Sequence, residues 1–95
     1  MIGILVHHFA REGAESDGVR LIQTSGEAMK SFPGFKSRYT MVSRNDKQQI
    51  STVTFWESHD AYVRWTQSDV NRSIVRPPGI WTSKPEPTFF DVIAA

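Results

Sequence analysis

The sequence predicts an α+β fold whose elements follow the order β-α-β-β-α-β. Short segments rich in β-branched and aromatic residues indicate strands, and two longer segments with apolar residues every three or four positions indicate helices. Glycine, proline and an Asn-Asp pair separate the segments, as is typical of turns. A chain of 95 residues has room for one core, so we expect a single domain over residues 1–95.

The first strand is predicted over residues 2–10, with the sequence IGILVHHFA. This segment is rich in aliphatic residues and too short for a typical helix. Its bulky residues occupy both faces, with Ile4 and Val6 on one and Leu5 and Phe9 on the other. Such a strand is expected to be covered on both sides.

A helix is predicted over residues 14–32, where apolar side chains recur at helical spacing until Pro33 stops the pattern. Residues 35–44 alternate in polarity, and residues 48–56 are β-branched and aromatic. The turn pair Asn45-Asp46 lies between them. These two segments are therefore predicted to form a β-hairpin.

A second helical segment is predicted over residues 58–76, with Ser58 as its N-cap. The pair Ser68-Asp69 resembles a second cap, which favours a division of this segment into two short helices. Pro77 ends it, a loop follows, and a last strand is predicted over residues 88–94.

This order matches the ferredoxin-like arrangement, in which four strands form one antiparallel sheet and both helices lie on one face. The other face would then be open. Since the first and third predicted strands carry apolar bulk on both faces, we expect a second subunit to cover it. The predicted assembly is a two-fold homodimer whose two sheets meet face to face.

Composition and charge exclude several classes of protein. The 11 Lys and Arg are balanced by 10 Asp and Glu, which excludes a strongly basic nucleic-acid-binding arm. Cysteine is absent, which excludes disulfides and thiolate sites. No dinucleotide or zinc pattern occurs, so we expect no cofactor and no metal. The longest apolar run near the start is Ile4-Leu5-Val6, too short for a membrane span or signal peptide. These features favour a cytoplasmic protein.

A succession of motifs between residues 33 and 69 resembles the antibiotic biosynthesis monooxygenase (ABM) superfamily. The motifs are Pro33-Gly34-Phe35, then VTFWES ending at Ser58, then Ala61-Tyr62, Trp65 and Ser68-Asp69. The resemblance covers the whole chain in element order. It implies a dimeric α+β barrel with a pocket between the helices and the sheet.

The resemblance leaves three hypotheses for function, because one fold supports several chemistries. The first is a monooxygenase without a metal or organic cofactor. Its substrate would be a small aromatic or quinol-type molecule that reacts with oxygen as a carbanion or phenolate. The second is a non-catalytic small-ligand-binding dimer of the same fold. The third is a haem-degrading monooxygenase.

The candidate catalytic residues are His7 and Trp56, which we expect to converge on the cleft between sheet and helices. Neighbouring side chains on a strand point to opposite faces, so His7 and His8 cannot ligate one metal together. The resemblance implies that the position of His7 faces the ligand, where a neutral imidazole could accept a proton. Trp56 would stack on a flat substrate. The alternatives are a buried structural histidine and a core tryptophan.

Four further residues are candidate substrate-binding residues, and each has a simpler structural alternative. Tyr39 could bring a hydroxyl to the pocket or be a packed aromatic. Trp65 follows Ala61 at helical spacing and could simply anchor its helix. Arg72 could meet an acidic group or be solvated. Trp81 lies in the loop after the second helical segment, where it could act as a lid or reach the other subunit.

The haem hypothesis has one clear obstacle in the sequence. The resemblance implies that a histidine seven residues after the serine of the Ser-Asp pair ligates haem iron. Counting from Ser68 reaches Val75, and residues 71–76 contain no histidine. Valine cannot donate to iron, and the axial ligand governs haem chemistry. We therefore expect weak or no haem binding.

Overall fold

A computed structural model describes all residues from 1 to 95 and confirms the predicted α+β fold. The elements in chain order are β1 (Ile2–Phe9), α1 (Glu15–Met29), β2 (Phe35–Val42), β3 (Gln49–Trp56), α2 (His59–Gln67), α3 (Asp69–Arg72) and β4 (Pro87–Asp91). The second helical segment does divide at Ser68. The last strand ends earlier than predicted, at Asp91.

The four strands form one antiparallel sheet in the order β2-β3-β1-β4. Strand β1 pairs with β3, so that Ile4 lies opposite Thr54 and His7 opposite Ser51. Side chains alternate between the two faces of a strand. We call the face that α1 and α2 cover the helical face and the other the open face. Ile4 and Thr54 belong to the helical face, and His7 and Ser51 to the open face.

The core lies between the helical face and the helices, in two clusters. One cluster joins Ile4 and Trp56 of the sheet to Ala61 and Trp65 of α2. The other joins Ala10 and Ile50 at the far end of the sheet to Ile22 of α1. Both helices therefore pack on the same face, as the ferredoxin-like order requires.

The motif Pro33-Gly34-Phe35 has a physical role at the junction between α1 and β2. Gly34 has a positive φ of 90°, a conformation that favours glycine. A Cβ added there would lie 2.5 Å from the Cβ of Ala61. The carbonyl of Gly34 also accepts a hydrogen bond from the backbone N–H of Glu57 at 2.7 Å. The motifs around residues 34, 57 and 61 therefore meet in space.

Serine side chains cap the two short helices. The Ser58 hydroxyl accepts from the Ala61 N–H at the start of α2, at 3.1 Å. The Ser68 hydroxyl accepts from the Asn71 N–H at the start of α3, at 3.1 Å. Each cap satisfies a backbone donor that has no partner within its helix. None of the helices is long and apolar enough to span a membrane.

The open face carries large apolar side chains that nothing in the monomer covers. Phe9, Tyr39, Met41 and Phe90 are all exposed, and the strand register places them on this face. Singly exposed apolar residues are common, but four large ones on the same face of three strands indicate an interaction surface.

Candidate functional site

The helical face and the helices enclose a cavity of about 250 Å³, which we call the inner cavity. Strands β1, β2 and β3 form its floor with side chains of the helical face, and helices α1, α2 and α3 form its roof. Its lining comprises Ile4, Val6, His8, Ile22, Ser25, Met29, Arg38, Thr52, Thr54, Tyr62, Trp65, Thr66, Asn71 and Arg76. Six of the 14 lining residues are hydrophobic and the others are polar or charged, a mixed lining that can orient a small molecule through its polar groups.

The histidine in the inner cavity is His8. The expectation that His7 and Trp56 converge on one cleft is wrong, because the two residues lie on opposite faces of the sheet. The imidazole of His7 is on the open face, where its Nδ1 lies 2.6 Å from the Ser51 hydroxyl. His8 shares the parity of Ile4 and therefore faces the helices. This parity was visible in the sequence.

The imidazole of His8 is held in its neutral form. Burial, with a smaller contribution from the charge of the adjacent His7, lowers the pKa of His8 from its usual 6.5 to about 4. The ring packs against the indole of Trp81, with centroids 5.0 Å apart. Its Nδ1 is buried without a hydrogen-bond partner. A neutral imidazole can both donate and accept a hydrogen bond, so His8 has bonding capacity to offer a ligand.

Arg38 of β2 brings a guanidinium to the same cavity. Its Nη2 donates to the Ile22 carbonyl at 3.4 Å, which is long for such a bond. Its Nε is buried with no partner. Desolvation lowers the pKa of Arg38, and Glu27 acts in the opposite direction. The sequence analysis did not select Arg38. The alternation of β2 was the signal, since it places Arg38 opposite Thr54 on the helical face.

The two tryptophans of the motif region have different places. Trp65 is nearly fully buried and lines the inner cavity. Trp56 is completely buried and does not line it. Its indole meets Phe35 and Tyr62 edge-on, at 5.4 and 5.8 Å between centroids. The Trp56 Nε1 donates to the Thr54 hydroxyl at 3.1 Å. Trp56 therefore lies behind the cavity wall, in the core.

The remaining candidate residues lie outside the cavity. Tyr39 is 63% exposed on the open face, and Arg72 is exposed on α3. Arg76 was not among the predicted site residues, yet it lines the cavity. Its Nη2 donates to the Asn71 side-chain carbonyl at 2.7 Å.

Trp81 is fixed in place and borders the site indirectly. Its backbone forms an isolated bridge with Ala10. The neighbouring Thr82 N–H and hydroxyl both bond the Phe9 carbonyl, at 2.8 and 3.1 Å. The indole is half-buried and packs on the core cluster that contains Ile50. Within the monomer it therefore closes the cavity behind His8, as a wall packed on the core.

The residues present do not fit haem. Val75 is 80% exposed and lies outside α3, which ends at Arg72. No group of three or more His, Asp or Glu side chains is placed to hold a metal ion. A cavity of about 250 Å³ is also below the usual size of sites for drug-sized ligands, which begin at about 300 Å³.

A larger groove of about 760 Å³ lies on the outer side of α1, against residues 70–80. It has no histidine and no aromatic side chain in its lining. Its two charged residues, Asp17 and Arg20, pair with each other at 3.3 Å. The inner cavity is smaller but holds unpaired polar atoms and aromatic rings. We therefore take the inner cavity as the candidate site.

The fold and this cavity define a class of small α+β proteins with a cavity between a four-stranded sheet and its helices. Within that class, the sequence profile named antibiotic biosynthesis monooxygenase matches residues 1–76. The chain belongs to this family.

Solved structures support the same fold at low sequence identity. A crystal structure of an antibiotic biosynthesis monooxygenase is 14% identical with a TM-score of 0.83, over 99% of this chain and all of that one. A protein from Pseudomonas aeruginosa is 12% identical with a TM-score of 0.85, over 98% and 94% of the two chains. SnoaB, a cofactor-independent oxygenase from Streptomyces nogalater, is 14% identical with a TM-score of 0.81, over 99% and 94%. No curated protein matches the sequence.

Proposed function

We propose that this protein is a cofactor-independent monooxygenase that acts on a small aromatic or quinol-type substrate in the inner cavity. The observation that carries the proposal is the cavity itself. It combines the indole of Trp65, the neutral imidazole of His8 and the guanidinium of Arg38 in one enclosed space. Family membership and the likeness to a cofactor-independent oxygenase support the same function.

The reaction needs no partner other than oxygen. A substrate methylene flanked by aromatic rings reacts with O2 to give a carbonyl and water. One oxygen atom enters the product, the other leaves as water with both methylene hydrogens, and the four electrons come from the substrate. The protein's contribution is to hold the substrate anion in a dry site and to exclude water. Trp65 offers the flat surface for this.

His8 serves as a hydrogen-bonding residue and not as a strong base. A phenol has an ordinary pKa of about 10, as tyrosine does. The pKa of His8 is about 4. Moving a proton from such a phenol to His8 would cost about 8 kcal/mol, since each pKa unit is about 1.4 kcal/mol. His8 therefore orients the substrate hydroxyl by a hydrogen bond, and the proton leaves by another route.

The proposed active form is a homodimer in which a second copy covers the open face. The support is the exposed apolar group of Phe9, Tyr39, Met41 and Phe90. A chain of this size buries only a modest fraction of its surface on folding, so an apolar face left in water lowers its stability noticeably. His7 and Ser51 would then lie in the interface between the two sheets.

Oxygen uptake tests the proposal. The protein is mixed with anthrone or a hydroxylated anthrone, both of which have a methylene between two aromatic rings, and incorporation of isotopically labelled oxygen into the product is measured by mass spectrometry. The expected result is catalysed incorporation above the rate without protein. His8→Gln is expected to lower the rate about tenfold or more, since a hydrogen bond worth about 1.4 kcal/mol is lost.

His59→Gln is the matched control, because it changes an exposed histidine at the start of α2, outside the inner cavity and the open face. Its rate is expected to equal that of the unmodified protein. Equal loss in both variants would contradict a role specific to the inner cavity. Tight binding of these compounds without oxygen uptake would favour the non-catalytic ligand-binding dimer.

A further inference from the structure

Arg38 is a charged side chain whose hydrogen-bonding capacity the protein leaves unfilled. Its guanidinium has no carboxylate partner, since the two ion pairs in the protein are Arg20–Asp17 and Lys30–Glu27. Its one hydrogen bond is the long contact to the Ile22 carbonyl, and its Nε has none. Removing such a cation from water without a partner costs free energy. A ligand that supplied the missing partner would offset that cost.

The packing around Arg38 leaves space for the guanidinium specifically. Gly26 of α1 lies directly over it, and a Cβ at that position would clash with Nη1 and Cζ. On the edge strand β2, Arg38 lies opposite Thr54 and belongs to the helical face. The side chain is thus held between a glycine of the helix and the floor of the cavity.

The inner cavity contains no negative charge to balance Arg38. No Asp or Glu is among its lining residues, whereas Arg76 adds a second cation. Arg76 is engaged by Asn71, both through its side-chain carbonyl and through its backbone carbonyl at 3.0 Å. His8 is neutral. The cavity lining is therefore positive overall, and a positive charge that is partly shielded from water attracts an anion more strongly than one in bulk water.

We propose that the natural ligand of the inner cavity is an aromatic anion, whose carboxylate or ionised phenol oxygen binds the guanidinium of Arg38. The inference rests on the proposed function in taking the inner cavity as the ligand site, but it concerns binding alone. Charge-assisted bonds from arginine to an anionic oxygen are short and about twice as strong as neutral ones. The ring of the ligand lies against Trp65.

This assignment also supplies the step that His8 cannot perform. A cation next to a bound phenol favours its ionised form and lowers its pKa. Arg38 thus binds the substrate as the phenolate that reacts with oxygen, and no strongly basic side chain is needed. His8 and Arg38 then have separate tasks, orientation and charge stabilisation.

Binding of a matched pair of probes tests the proposal. Naphthoate and naphthamide have nearly the same shape but differ in charge, and quenching of tryptophan fluorescence reports their binding next to Trp65. The expected result is that naphthoate binds about tenfold or more tightly than naphthamide. In Arg38→Gln the preference is expected to disappear, with naphthamide affinity unchanged.

Two further variants keep the test independent of a general loss of charge or of fold. Arg64→Gln removes a cation from the exposed face of α2 and is expected to keep the preference. Gly26→Ala leaves Arg38 in the chain but displaces its guanidinium, so the preference is expected to fall as in Arg38→Gln. A visible absorption titration of nitrophenol then distinguishes phenolate from carboxylate. Its pKa is expected to fall on binding to the unmodified protein and to stay unchanged with Arg38→Gln.

Equal affinity for acid and amide, a preference that survives Arg38→Gln, or no binding of naphthoate would overturn the inference. The result is separable from that of the oxygen-uptake experiment. A preference for the acid without any oxygen uptake would retain the anion site and remove the monooxygenase function. Oxygen uptake with neutral substrates at a rate that Arg38→Gln does not change would retain the monooxygenase function and remove the anion site.

Discussion

The imidazole of His8 lies against the indole of Trp81, with ring centroids 5.0 Å apart and ring planes 38° from parallel. The contact joins the first strand to the loop that follows α3. Because the indole shields one side of the imidazole, it contributes to the burial that lowers the pKa of His8 to about 4. The loop after α3 therefore shapes the chemistry of the inner cavity without lining it.

The stability of the protein should depend on pH through His8. Its folded pKa of about 4 lies below the ordinary 6.5, so the unfolded chain takes up a proton first as the pH falls. The free energy of unfolding should therefore decrease between pH 6.5 and 4 and lose no more from this group below that range. Thermal unfolding of His8→Gln should show a shallower decrease over the same range. Parallel curves for the two proteins would contradict the depressed pKa.

Substitution by alanine should cost different amounts of stability at two glycines of α1. At Gly18 a Cβ would lie 2.9 and 3.0 Å from the indole of Trp81 and 3.2 Å from Ile50. The anchored ring cannot move freely, so Gly18→Ala should cost about 1–3 kcal/mol from overpacking. At Gly26 the Cβ meets the movable end of Arg38. Gly26→Ala should therefore unfold at a higher temperature than Gly18→Ala, and the reverse order would be contrary evidence.

Trp56→Ala should destabilise the protein by about 3–5 kcal/mol, because it empties a fully buried site. Chemical denaturation measures this directly. Val75→Ala, at an exposed residue outside the open face, is the comparison and should change stability little. If Trp56→Ala kept full stability while losing ligand binding, the placement of Trp56 in the core would be wrong and its expected stacking role would gain support.

The sequence predicted the element order and the hairpin because each rests on local patterns. Alternating parity in β2 and the proline and glycine between the segments are readable without coordinates. Gly34 and Ala61 both belong to motifs that are visible in the sequence. That the two residues meet, so closely that a Cβ on Gly34 would clash with Ala61, is visible only in the fold.

The site was harder to predict, because it depends on which face of each strand the helices cover. Parity separates His7 from His8 but does not say which one faces the helices. Apolar bulk on both faces of β1 left that choice open. Trp56 was selected for its motif, yet the structure buries it behind Trp65. Arg38 becomes notable only once its missing partner is visible, and pairing between distant elements is not encoded in local sequence.

The open face should mediate dimer formation. Leu5→Glu places a charge on that face, between Val53 of β3 and Thr88 of β4, and burying it against a second sheet would be costly. Light scattering should show a dimer for the unmodified protein and a monomer for the variant. Val75→Glu, at an exposed residue of the outer groove, should remain dimeric. A monomeric unmodified protein at all concentrations would contradict the proposed assembly.

Hemin should bind weakly or not at all. Val75 offers no donor to iron, and the inner cavity of about 250 Å³ is small. A titration followed through the Soret band should show no saturable complex, and ascorbate should cause no breakdown. A one-to-one complex with a histidine-ligated spectrum would contradict this expectation, and its loss in His8→Gln would identify the ligand.

A crystal structure of the protein soaked with naphthoate tests the central claim most directly, because it shows which cavity holds the ligand. We expect one naphthoate molecule in the inner cavity, with its rings against Trp65 and its carboxylate within about 3 Å of the Arg38 guanidinium. His8 should lie beside the rings in its neutral form. Naphthoate bound only in the outer groove against residues 70–80, with the inner cavity unchanged, would contradict the account.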